Sequence, residues 1–88
     1  MFSRFRVQGK SMEPSFHEGD FVLVRTFGRP GIGDVVVVDY SSRQMLKRIS
    51  GISGNKYFVR GDNQIDGKLF TVKKDAIIGK VLFHIKKS

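Results

Sequence analysis

Two residues in this chain have neighbours that suit them to chemistry, a serine and a lysine. Ser11 lies within Gly9-Lys10-Ser11-Met12-Glu13-Pro14. Gly9 admits unusual backbone angles and the close approach of a ligand, and Pro14 stiffens the segment behind the serine. A serine on a tight turn, with free backbone N–H groups around it, is what an acyl-transfer nucleophile and its oxyanion hole require. An ordinary turn serine has the same local pattern, so this segment alone does not decide between the two.

Lys47 lies within Gln44-Met45-Leu46-Lys47-Arg48-Ile49-Ser50. Side chains alternate along a strand, so Lys47 shares a face with Met45 and Ile49. The other face carries Leu46 flanked by Gln44, Arg48 and Ser50, and the pattern leaves open which face points inward. If the Met45/Ile49 face is inward, desolvation disfavours the ammonium and lowers its pKa. A neutral lysine amine then serves as a general base. Moving a lysine from about 10.4 to about 8 costs on the order of 3 kcal/mol in the charged form. The competing reading is a lysine at a strand edge whose amine reaches water.

The elements that must position these residues read as short strands. Phe21 to Thr26 follows the turn residues Glu18-Gly19-Asp20, and Arg29-Pro30-Gly31-Ile32-Gly33 punctuates the chain again. Asp34 to Tyr40 contains four consecutive valines, which favour a strand, apolar on both faces and therefore central. Ser41-Ser42-Arg43 leads to a strand over Gln44–Ser50, Gly51 to Asn55 reads as a turn, and Lys56–Arg60 as a fourth strand. Gly61-Asp62-Asn63 is a sharp turn. Thr71 to Asp75 has the pattern of a single helical turn capped by Thr71. From Ile77 to Lys87 the chain alternates, with Ile77, Val81, Phe83 and Ile85 on one face and Lys80, His84 and Lys86 on the other. This spacing predicts an all-β fold, a small barrel or coiled sheet with room for one short helical turn.

Composition narrows the function classes. The chain has 88 residues, no cysteine, 16 Lys plus Arg against 8 Asp plus Glu, and a formal net charge of +8. That length accommodates one domain with a thin core. Without cysteine there is no disulfide or thiolate zinc site, and His17 and His84 are too few for a zinc cage. No metal or cofactor is therefore expected. No segment approaches the roughly 20 apolar residues of a membrane span, and Met1 to Lys10 lacks the apolar run of a secretory signal. A soluble chain is expected, cytoplasmic or membrane-peripheral, unless it was cut from a longer anchored protein.

Taken in order, Gly9-Lys10-Ser11-Met12-Glu13-Pro14, Gly33-Asp34-Val35-Val36-Val37, Lys47-Arg48-Ile49 and Gly61-Asp62-Asn63 resemble the Ser-Lys peptidases. That group contains the type I signal peptidases and the LexA-type self-cleaving repressors. The resemblance runs from Val7 to Val81, and the Gly-Asp-Asn turn tilts it toward the signal peptidases. Residues 1–88 then form a single peptidase-like catalytic domain.

The resemblance implies a serine endopeptidase that removes a leader or pro-segment from a protein substrate. Ser11 is the expected nucleophile and Lys47 the general base. Backbone N–H groups of Ser11 and Met12 are the expected oxyanion donors. Gly9, at a position where some members carry a serine that donates to the oxyanion hole, offers only backbone. Gly9, Pro14, Gly61 and Asn63 are expected to support the site, and Asp62 to pair with Arg48 and hold the turn beside Lys47. Met12 packs near the active site in this family. The substrate is expected as an added strand, with small residues before the cut.

The sequence departs from the family pattern at the group that orients the lysine. Signal peptidases carry a serine after the Gly-Asp-Asn turn, where this chain has Gly67, and LexA-type members carry a threonine where it has Met45. Ser50 and Ser53 are candidates by proximity in sequence. His17 lies close to Ser11, but no carboxylate is placed to orient it, and His84 is expected to face solvent. Phe21, Phe58 and Phe83 fit strand cores, while Phe2, Phe5, Phe16 and Phe27 are expected exposed at one end. Lys86-Lys87-Ser88 reads as a solvated tail.

Two other classes stay in view. One is an inactive relative of the same fold. The other is a small basic β-barrel that binds single-stranded nucleic acid through charge and stacking phenylalanines, a reading that leaves the Ser11 and Lys47 pattern as coincidence. Peripheral contact with anionic lipid through basic residues and Phe2, Phe5 and Phe16 is compatible with the peptidase reading.

Overall fold

The computed structural model describes residues 1–65 and 67–86; Asp66, Lys87 and Ser88, the last two in the expected tail, lie outside the described residues. The strands are β1 (Phe2–Arg6), β2 (Phe21–Arg25), β3 (Val35–Tyr40), β4 (Arg43–Ser53), β5 (Lys56–Arg60), β6 (Leu69–Lys73) and β7 (Ile77–Ile85). They form one antiparallel sheet in the order β1-β2-β7-β3-β4-β5-β6. The all-β expectation holds, in the form of a sheet that does not close into a barrel.

The valines of β3 divide the core. Val35 and Val37 pack with Val7, Met12, Phe16, Val22 and Val24 on one side of the sheet. Val36 and Val38 pack with Ile49, Tyr57, Val59 and Val72 on the other. A strand covered on both faces has no use for polar alternation, and burying each valine stabilises by roughly 1.5–3 kcal/mol relative to exposure. β3 and β4 are joined through Ser41 and Ser42, with φ of 51° and 65°. Two positive φ values in sequence give the turn whose twist matches a tight hairpin.

Several local expectations are corrected. β1 is a strand that the sequence does not announce, because three polar residues among its five hide the alternation. Gly51 is not in a turn: β4 runs through it to Ser53, and the turn falls at Gly54-Asn55. Gly51 sits at a β-bulge opposite Phe58, where a Cβ would lie 3.2 Å from the ring. Thr71 caps no helix, since it pairs with Phe58 inside β6. The helical turn is a 3-10 turn at Lys74–Ala76, entered from Lys73 without a side-chain cap.

The faces of β7 are also not as the alternation implies. Val24 pairs with Val81 but Leu23 pairs with Phe83, so Leu82 is an extra residue. A bulge of one residue exchanges the faces beyond it. Val81 faces the first cluster, His84 follows it inward, and Phe83 and Ile85 turn outward with 64% and 56% exposure. A second shift beside Val38 sends Ile77 to the second cluster. Phe21 and Phe58 are half-buried, whereas Phe16 is buried and Phe5 packs against the first cluster. Phe2 and Phe27 are exposed, as expected.

Candidate active site

β4 aims Lys47 inward. Lys47 is paired with Val36 of β3, between Met45 and Ile49, and is only 4% exposed. Leu46, on the other face, packs against the first cluster. Both faces of β4 therefore meet apolar layers, which is why the pattern alone left the inward face open. Lys47 Nζ donates to Ser11 Oγ at 3.3 Å and lies 5.2 Å from the centre of the Phe70 ring. Loss of hydration, and secondarily the charge of Lys68, pushes the amine below its ordinary pKa. The same distance serves a neutral amine accepting the serine proton.

Ser11 is held by the loop between β1 and β2. Gly9 takes φ +77° and donates its N–H to Glu18 Oε2 at 3.3 Å. Glu13 N donates to Lys10 O at 3.1 Å and Phe16 N to Met12 O at 2.9 Å. The Glu13–Pro14 peptide bond is cis. Met12, 2% exposed, anchors the residue after the serine in the core. Among the described residues, the backbone N–H groups of Ser11 and Met12 donate to no protein acceptor.

The Gly61–Asn63 turn closes the site from behind. Asn63 N donates to Ser11 O at 2.8 Å, and Asn63 Nδ2 donates to Lys10 O at 2.9 Å. Asp62 accepts from Arg48 Nε at 2.8 Å and Nη2 at 2.7 Å, and from Ser15 Oγ at 2.8 Å. Arg48 Nη1 also donates to Gly33 O at 2.7 Å. These hydrogen bonds, that of Arg48 first, hold the Asp62 carboxyl below its ordinary pKa. The same bond raises that of Arg48. Gly61 is required by space, because a Cβ there would run into the Ser11 carbonyl oxygen.

The orienting hydroxyl that the sequence did not supply is not found at Ser50 or Ser53. Ser50 Oγ donates to Phe58 O at 3.2 Å, and Ser53 pairs with Lys56 at the far end of β4. Gly67 cannot hold a side chain, since a Cβ would run into the carbonyl oxygens of Asn63 and Gly61. Among the described residues, Ser11 Oγ is the hydrogen-bond partner of Lys47 Nζ. The ring of Phe70 and the Asp62 contact of Ser15 were not anticipated. Both arise from parts of the chain remote in sequence.

The histidine readings are corrected. His17 does have a carboxylate beside it, with Nδ1 3.7 Å from Glu13 Oε2, because the turned loop brings residues four apart together. His84 does not face solvent. Its Nε2 lies 2.6 Å from Oδ2 of the buried Asp20, and its ring centre is 4.6 Å from that of Phe16. Asp20 Oδ2 also accepts the His17 backbone N–H at 3.0 Å, so the pair braces the base of the serine loop. The bulge in β7 hid this from the alternation.

A cleft of about 530 Å³ opens at Ser11 and Lys47. One wall runs from Arg4 to Met12 and the other from Arg43 to Lys47, with Val37 between them. β4 pairs with β3 along Arg43–Arg48 and with β5 only from Arg48 onward. Among the described residues, no strand pairs with the second edge of Arg43–Lys47. Such an edge is a template for an extended peptide.

A family model described as Peptidase S24-like matches residues 4–82. The chain is also similar to a signal peptidase I of Bacillus licheniformis, 31% identical over 75 residues, covering 77% of this chain. It spans 40% of that relative's length. Among the described residues, no helix is long and apolar enough to cross a membrane.

Proposed function

Because the chain belongs to the Peptidase S24-like family, we propose that it is a serine endopeptidase working through a Ser11–Lys47 dyad. The observation that carries this reading is the 3.3 Å contact between Ser11 Oγ and a lysine that is 4% exposed. Burial keeps a fraction of the amine neutral, and a neutral amine takes the hydroxyl proton as Ser11 Oγ attacks the scissile carbonyl. The N–H groups of Ser11 and Met12 receive the developing oxyanion. Collapse breaks the C–N bond, and the leaving amine takes the proton back from Lys47. Water then attacks the acyl-enzyme and gives a proton to Lys47, and as the ester C–O bond breaks Lys47 returns that proton to Ser11 Oγ, releasing the acid.

The peptide lies in the cleft as a strand added to the Arg43–Lys47 edge. Its source is a leader or pro-segment with small residues before the cut, following the similarity to a signal peptidase I. The test is cleavage of small-residue leader peptides by wild type, Ser11→Ala and Lys47→Ala. Activity in the wild type alone supports the dyad. No wild-type activity, or variants that match the wild type, rejects it.

The outer face of β1, β2 and β7 favours contact with an anionic bilayer. Phe2, Phe27, Phe83 and Ile85 are exposed there, and guanidinium groups of Arg4 and Arg25 lie 4.9 Å and 5.4 Å from the Phe21 and Phe27 ring centres. Apolar side chains interleaved with arginines suit the headgroup boundary. Phe5 and Phe16 take no part, since both pack inward. Co-sedimentation with phosphatidylserine vesicles at low salt, weakened by Phe83→Ser, is the expected result.

A further inference from the structure

We infer that the cleft selects peptides bearing an acidic side chain about four residues from the scissile bond, and that Arg43 reads it. The inference rests on the cleft being the peptide site. Its two walls converge on Ser11 and Lys47, and they carry Arg4, Arg6, Lys10 and Arg43 but no aspartate or glutamate. These four cations are exposed, and among the described residues none of them makes an ion pair. Other basic residues are already engaged: Arg48 with Asp62, and Lys80 at 3.5 Å from Asp34. Glu18, beside one wall, is turned onto the Gly9 N–H at 3.3 Å.

The spacing follows from strand geometry. A strand advances roughly 3.3 Å per residue, so Arg43 stands about 13 Å along β4 from Lys47. A peptide extended along that edge brings the residue about four from the cut beside Arg43. Arg43 and Lys47 are on the same face of β4. A guanidinium accepts a carboxylate with two parallel hydrogen bonds, and charge complementarity of this kind sets specificity more than raw affinity.

The experiment uses leader peptides with Glu, Gln or Lys placed in turn from about five residues before the cut to about five after it. Wild type is expected to cleave one Glu register about fivefold faster than its Gln counterpart, with Lys slower still. Arg43→Glu is expected to reverse the order, and the preference should shrink between about 20 mM and about 500 mM salt. Binding of the same labelled peptides to Ser11→Ala is measured alongside. Binding that follows charge and reverses in Arg43→Glu, without wild-type cleavage, upholds the charge reading and rejects the peptidase one. Equal handling of Glu, Gln and Lys, or a preference that survives Arg43→Glu, overturns the charge reading while cleavage still stands. Binding of no peptide together with no wild-type cleavage overturns both.

Discussion

Arg48 and Asp62 meet through two parallel hydrogen bonds of 2.8 and 2.7 Å. Arg48 adjoins Lys47 on β4, and Asp62 adjoins Asn63, which holds the Ser11 carbonyl. The pair thus couples the strand that carries the candidate base to the turn that carries the candidate nucleophile's support. Its position makes it a positioning device whose loss shows in both stability and rate.

Asp62→Asn is expected to lower stability by about 1–2 kcal/mol, the lower part of the range for hydrogen bonds to charged groups because Arg48 is partly exposed. Asp62 has a folded pKa below its unfolded value of about 3.9. Its contribution is therefore present above that value and is lost as pH falls through the folded pKa. Urea unfolding at neutral pH should separate wild type from variant, and the gap should close in strong acid.

The pH profile of kcat/KM for wild type should rise through a limb below the ordinary lysine value of about 10.4, because desolvation lowers the Lys47 pKa. Lys47→Arg keeps the charge but cannot be deprotonated, and cleavage should be lost. Loss of cleavage in His17→Ala while Lys47→Arg stays active would assign the base to His17 instead.

Lys47→Met should stabilise the fold at neutral pH by about 1 kcal/mol while abolishing cleavage, as expected where a site stores strain for function. The sign follows from the lowered pKa. Below the folded pKa the wild type bears the full desolvation cost, and that cost fades as pH rises through it. Denaturant midpoints near pH 7 and pH 10 should therefore converge; a Met variant less stable at both would show that Lys47 is not under strain.

Gly67→Ser introduces the serine that the signal peptidase resemblance implies but should not supply a lysine-orienting hydroxyl. Its Cβ would meet the carbonyl oxygens of Asn63 and Gly61, so the turn must shift at a cost of about 1–3 kcal/mol. Thermal unfolding and kcat/KM should both fall. A gain in kcat/KM would mean the turn yields more easily than its packing implies.

Asp20→Ala removes the acceptor for His84 and for the His17 backbone N–H, inside a buried setting. A loss of about 2–3 kcal/mol is expected. Proteolysis should then begin in the Ser11–Asp20 loop, and His84→Gln, which can still donate to Asp20, should lose less.

The class of the fold was legible because it rests on local chemistry, whereas the pairing of Ser11 with Lys47 was an expectation only through the resemblance to the Ser-Lys peptidases. Four valines in a row demand a strand covered on both sides, while the serine and lysine segments each also fit an ordinary turn or strand edge. The pairing of Arg48 with Asp62 likewise came from that resemblance. What only the tertiary structure decided depends on register. One extra residue at Leu82 exchanges the faces of β7, turning His84 inward onto Asp20 and Phe83 outward. Whether Lys47 pointed in or out was open until β3 and the Phe70 ring covered its face. The open edge of Arg43–Lys47 in the cleft likewise arises from which strands pair, and from where β5 stops pairing with β4. Side-chain type is written residue by residue, but the direction a side chain faces is set by hydrogen bonds to strands far away in the chain.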